Sequence, residues 1–150
     1  MEREAHATRC SMISSELGRT PRSPLSVSGS RLWTRTTHRC SASGASTGDK
    51  SGVSVASAGD VNGDGVDDLI IGANFADPSG QSNAGASFVV FGKEGGFDAS
   101  FDLASLVTGD GSQGFVINGG AAGDKIGESV ASAGDVNGDG IDDLIIGASL

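Results

Sequence analysis

The chain has no tyrosine, one tryptophan, three prolines and two cysteines in 150 residues. Two cysteines cannot supply the several bridges that hold a small disulfide scaffold together. No apolar run approaches the roughly 18 residues that a membrane-spanning helix needs, so no membrane span is expected. Glycine is abundant, at 25 residues, yet it lacks the three-residue period of a collagen. Basic residues are few, 10 against 19 acids, and a net charge of −9 disfavours a nucleic-acid partner.

These scarcities divide the chain. Residues 1–47 hold seven Arg and three Glu, whereas 48–150 hold three Lys and sixteen acids, giving net charges of +4 and −13. The first part has five Leu, Ile, Val or Phe (Ile13, Leu17, Leu25, Val27 and Leu32) against sixteen Ser and Thr. That is below the roughly 20% apolar content at which a core becomes possible. Residues 1–47 are therefore expected to be a disordered, basic, Ser- and Arg-rich segment outside the folded domain. They also contain His6, His38, Cys10, Cys40 and Trp33. They lack the apolar stretch of a secretory signal, and Glu2, Glu4 and Glu16 argue against an organelle transit peptide. Their scattered arginines do not form a nucleic-acid arm. Nothing in the sequence supports a Cys10–Cys40 bridge.

The informative feature is an internal repeat. GDKSGVSVASAGDVNGDGVDDLIIGA at 48–73 recurs as GDKIGESVASAGDVNGDGIDDLIIGA at 123–148, identical at 23 of 26 positions with a period of 75. This divides the chain into a first unit, 48–122, and the start of a second, 123–150. Short strand signals are spread evenly through the period: Val53–Ala58, Asp68–Ala73, Ser87–Phe91 and Gly114–Asn118. Phe101–Val107 reads as either a helical turn or a strand. No apolar stripe of helical period appears, which predicts an all-β domain. Nearly continuous apolar strands are covered on both faces. Four antiparallel strands per unit, sandwiched between neighbouring units, is the arrangement of a β-propeller blade.

Between the first two strands of each unit lies an acidic loop. In the first it runs Asp60-Val61-Asn62-Gly63-Asp64-Gly65-Val66-Asp67-Asp68; the second, 135–143, is the same with Ile141 at position 7. Oxygen-bearing side chains at positions 1, 3, 5 and 9, with glycine at 6, are what a chain needs to wrap a cation. The candidate ligands are Asp60, Asn62, Asp64 and Asp68 with the Val66 carbonyl, and Asp135, Asn137, Asp139 and Asp143 with the Ile141 carbonyl. An all-oxygen donor set favours Ca²⁺, two ions in all, over zinc or copper, and over Mg²⁺, which retains its waters. The competing reading is that Asp, Asn and Gly simply form turns. Four carboxylates in nine residues (Asp60, Asp64, Asp67, Asp68) repel one another unless a cation or hydration relieves them, and the loop occurs twice. Asp67 and Asp142, at position 8, are expected to face solvent or a neighbour. An EF-hand is excluded, because position 12 is Ile71 or Ile146 inside an apolar strand, where that motif needs Glu.

The combination SVASAGDVNGDGxDDLIIGA, with Phe91-Gly92 closing SFVVFG and the Gly72-Ala73 pair, resembles FG-GAP repeats, the blades of integrin α-chain-type propellers. The resemblance covers residues 48–150. It implies about one and a third blades of a larger ring, with Ca²⁺ in the loops on one face and a role in adhesion or protein–protein contact. Asn74 and Ser149 stand where the family's name has proline. A ring needs at least about four blades, so the chain is expected to be a piece of a longer protein whose further blades would be its first partners. The expected function is a non-enzymatic, Ca²⁺-stabilised module, secreted or at the cell surface, that binds a protein or surface ligand through the assembled propeller. The rival is an accessory propeller of a larger hydrolase, of the type that cleaves glycosylphosphatidylinositol anchors. Residues 48–150 contain no His, Cys, Tyr, Trp or Arg from which a nucleophile–base pair could be built. An intracellular scaffold is a third reading, opposed by the emptiness of weak Ca²⁺ loops in the cytosol.

Overall fold

Val, Ile and Phe in short runs, separated by Gly, Asp and Asn, give brief strands and tight turns. The computed structural model describes residues 41–98 and 100–149. The two cysteines, both histidines, Trp33 and the disorder expected for the basic segment up to residue 40 lie outside the described residues. In chain order the elements are β1 (Ser41–Ser43), β2 (Ser54–Gly59), β3 (Asp68–Ala73), β4 (Ala86–Val90), β5 (Ser100–Asp102), α1 (Ala104–Thr108), β6 (Gly114–Asn118), β7 (Ser129–Gly134) and β8 (Asp143–Gly147).

The fold is all-β, with sheets of the kind from which propeller blades are made. β2, β3, β4 and β6 form one antiparallel sheet in that order, and β7 pairs with β8 to begin a second. All four strand signals of the first unit therefore become strands, with ends shifted by a residue for β2 and β4. Phe101–Val107 is a strand end followed by a helical turn, so both readings hold in part. The helix is capped locally: Asp102 Oδ1 accepts from Ala104 N at 3.0 Å, and Ser105 Oγ donates to the Asp102 carbonyl at 2.6 Å. One pairing has no sequence signal. β1 runs parallel to β5, Ser41 opposite Ser100, so order reaches back past the expected start at Gly48.

Alternation along the strands gives the first sheet two apolar faces. Ile71, Phe88 and Val90 pack with Leu103 and Leu106 of the α1 segment, with Phe97, Phe101 and Val116 at the margin. On the opposite face, Ala58, Ile70 and Val89 are fully buried beneath Val130, Leu144 and Ile146 of the second sheet. Phe91 and Phe115 meet edge to face there, with centroids 5.9 Å apart. The two sheets thus stack face to face.

The connection between the units is stitched to the first by its main chain. Gly123 N donates to Ser82 O (3.0 Å), Lys125 N to Asn83 O (3.1 Å) and Ile126 N to Ala84 O (3.0 Å). Ser54 Oγ donates to the Gly127 carbonyl at 2.7 Å. A Cβ at Gly72 would collide with that carbonyl, so glycine is what allows the sheets this close.

Candidate functional site

β2 ends in a bulge, its register shifting between Ser57 and Gly59, and β7 repeats this between Ser132 and Gly134. A bulge bends the strand and increases its twist, which here directs the chain into the acidic loop. Within the loop the first aspartate is the organiser. Asp60 Oδ1 accepts from Gly63 N (2.7 Å) and Asp64 N (3.0 Å), and Oδ2 accepts from Gly65 N (2.8 Å). Asn62 Oδ1 accepts from Asp64 N at 2.9 Å, and Asp64 Oδ1 from Val66 N at 2.8 Å. In the second loop Asp135, Asn137 and Asp139 make the same bonds to Gly138, Asp139, Gly140 and Ile141, at lengths equal to within 0.1 Å. Backbone amides aimed at the Asp135 carboxylate, that of Gly140 foremost, hold its pKa below the usual carboxylate range.

Position 9 is different in kind. Asp68 is fully buried, and its two oxygens accept from Gly92 N at 2.7 Å and Val61 N at 3.1 Å. It ties the mouth of the loop to Gly92, two residues past the end of β4. Burial pushes its pKa up; the two N–H bonds pull it back, and the charges of Asp64 and Asp60 add to the rise. Asp143 accepts from Val136 N at 2.9 Å and from Asn137 Nδ2 at 3.3 Å. Glycine at 92 is required because a Cβ there would strike the Asp67 carbonyl.

The structure thus brings Asp60, Asn62, Asp64, Val66 and Asp68 into one turn, and Asp135, Asn137, Asp139, Ile141 and Asp143 into another. The donors suit a hard cation chemically, since all are oxygens; Asp60 Oδ1 and Asp135 Oδ1 each already accept from two amides, so the capacity left for a cation lies on the other carboxylate oxygens, which accept from one group at most. Convergence is what is missing. Among the described residues, no three acidic, histidine or cysteine groups come together as a preformed metal centre. Asp64 Oδ2 instead accepts from Asn62 Nδ2 at 2.9 Å.

Of the two expectations for position 8, solvent or a neighbour, Asp142 takes the second, with a partner that spacing alone did not name. Asp142 Oδ2 accepts from Asp60 N at 2.9 Å, and Asp142 N donates to Asp60 O at 3.1 Å. Position 8 of the second loop therefore grips position 1 of the first. A Cβ on Gly59 would occupy the space of that carboxylate. The only hint in the sequence is the Gly-Asp pair that opens both loops.

No helix among the described residues is long and apolar enough to cross a membrane. No curated protein matches the chain. The family model for the FG-GAP repeat matches residues 51–90 and 127–150. Both matches contain a bulge, an acidic loop and the apolar strand that follows it, and the first also contains β4. Over these two stretches the chain is similar to FG-GAP repeats, and the sheets they form are all-β units of the propeller type.

Proposed function

We propose that this segment is a Ca²⁺-stabilised, non-catalytic interaction module of an extracellular or cell-surface protein. The observation that carries the cation reading is Asp68. A fully buried carboxylate lies beside a loop bearing three more, Asp60, Asp64 and Asp67, and among the described residues no lysine forms an ion pair with it. Burying an unpaired charge is expensive. A cation drawn to Asp60, Asn62, Asp64, Asp68 and the Val66 carbonyl would offset it, and the second loop offers Asp135, Asn137, Asp139, Asp143 and the Ile141 carbonyl. When bound, the ion would supply charge neutralisation and rigidity rather than reactivity. The residues themselves already order the loop through the amides held by Asp60 and Asp135. Binding would require the Asp64 carboxylate to leave Asn62 Nδ2.

Extracellular modules bind Ca²⁺ at about 10⁻⁴–10⁻³ M, which suits a Ca²⁺-rich exterior. FG-GAP repeats occur in extracellular proteins and serve as protein-interaction modules, and from this we take the module's surroundings and its kind of partner. Calorimetric titration of the chain with CaCl₂ tests the cation, alongside a variant carrying Asp64→Ala and Asp139→Ala. At about tenfold excess over Kd, each occupied loop should stabilise the fold by about 1.4 kcal/mol, and the variant should lose both heat and stabilisation. Absence of heat and of any Ca²⁺-dependent shift in unfolding would refute the reading.

A further inference from the structure

The main chain of Asp60 is held by the second unit, while its side chain serves its own loop. Asp142 Oδ2 accepts its N–H at 2.9 Å, and Asp142 N donates to its carbonyl at 3.1 Å. Its two carboxylate oxygens meanwhile fix the amides of Gly63, Asp64 and Gly65. Whatever displaces Asp142 therefore displaces the residue around which the first loop is built. Asp142 is in turn locked into the second loop through both chain neighbours. Ile141 N donates to Asp139 Oδ1 at 2.9 Å, and Asp143 accepts from Val136 N at 2.9 Å. Asp139 N is itself held at 3.0 Å by Asp135, the organiser of that loop. A continuous path of covalent and hydrogen bonds thus runs from Asp135 to Asp60. Ile141 adds a second contact, since a Cβ built on Gly63 would lie 4.0 Å from Ile141 Cδ1. Position 7 is one of the few places where the two copies of the repeat differ, and Val66, the counterpart of Ile141, lacks that terminal methyl.

We propose that Asp142, with Ile141 beside it, couples the two acidic loops, so that order imposed on one is transmitted to the other. Asp142 is a positioning residue. It is not among the candidate ligands, but it sits between two of them, the Ile141 carbonyl and the Asp143 carboxylate. The coupling is positive. A loop that is fixed, by its own bonds or by an ion, holds Asp142 and Asp60 still and removes part of the ordering cost that the other loop must meet. Occupying either loop therefore raises the affinity of the other, by the same factor in both directions. The transfer of order needs no ion, whereas its effect on affinity rests on the Ca²⁺ reading above.

Amide exchange measured on the whole chain in EDTA tests the link without a cation. D135A, which dismantles the second loop, should speed exchange at Gly63, Asp64 and Gly65 of the first by about fivefold or more, and D142A should do the same. D142N keeps an acceptor for the Asp60 amide and should retain the protection. I141V, which trims only Cδ1, should give a smaller loss in the same direction. D135A added to D142A should cause no further loss in the first loop, because the link is already cut. In CaCl₂, followed by calorimetry, D139A should weaken the first loop's affinity and D64A the second loop's, by equal factors of about five or more, and both effects should vanish in D142A. A first loop indifferent to D135A, a D142N that behaves as D142A does, or mutual effects on affinity that persist without Asp142 would each overturn the proposal. Loss of protection in D135A with no Ca²⁺ binding at all would uphold the link and count only against the Ca²⁺ reading.

Discussion

Ile70 and Ile145 occupy the same place in two copies of the DLIIG strand, yet one is fully buried and the other is 60% exposed. Truncating each to alanine compares packing with local sequence held constant. Ile70 lies between Ala58, Val89 and the side chains of the second sheet, so Ile70→Ala removes its transfer energy and leaves a cavity, a cost of about 2–5 kcal/mol. For Ile145, about two-fifths of the side chain is buried; scaling a full-burial value of about 1.5–3 kcal/mol gives about 0.6–1.2 kcal/mol, with no enclosed cavity. Any loss of intrinsic strand preference is shared and cancels in the difference. Urea unfolding followed by far-ultraviolet circular dichroism, at low micromolar protein, measures both, provided the slope m is unchanged. Equal destabilisation by the two variants, or a larger effect at Ile145, would refute the inter-sheet packing described above.

Asp68→Asn should destabilise by about 2–3 kcal/mol in the same assay, because an amide nitrogen would then oppose the Gly92 or Val61 N–H. Gly92→Ala, by pressing a methyl against the Asp67 carbonyl, should cost about 1–3 kcal/mol. Gly59→Ala should free the Asp142 carboxylate and expose the Asp60 amide to exchange, while Gly134→Ala, facing open space, should leave that amide protected. The fourth expectation concerns pH. Burial, aided by the charge of Asp77, raises the Asp49 pKa, so the native state binds this proton more readily than the unfolded chain. The cost of the ionised form is present at neutral pH and is relieved as pH falls through the folded pKa. Relative to Asp49→Asn, the unmodified chain should therefore gain stability between about pH 7 and pH 4, read as a shift in urea midpoint. A midpoint difference that does not change with pH would contradict this.

The strands were legible because Leu69–Ile71, between Asp68 and Gly72, and Phe88–Phe91, between Ser87 and Gly92, are apolar runs, and burial on both faces leaves them no other place. The acidic loops were legible from spacing and duplication. Two things were not. Ser41–Ser43 carries no strand signal, and it pairs with residues nearly sixty positions away. Asp142 has the same residue type and loop position as Asp67, yet one grips a neighbouring loop and the other is exposed; only the stacking of the units distinguishes them. Likewise, spacing places Asp68 among the loop's oxygen donors, but nothing in the sequence shows that the fold buries it with one backbone amide on each oxygen.

The stitched connection from Gly123 to Ile126 has a consequence of its own. Its bonds to the first unit at Gly123, Lys125 and Ile126 run from peptide to peptide, so the distance from one unit to the next is measured largely by chain length. Within this stretch the Asp124 carboxylate, which accepts from Ala121 N at 2.8 Å, and Gly123, at φ 87°, shape the turn, whereas adding or deleting a residue would throw the next loop off its mark. The Lys93–Glu94–Gly95–Gly96 turn, exposed and outside the measuring stretch, is where extra sequence can be accommodated.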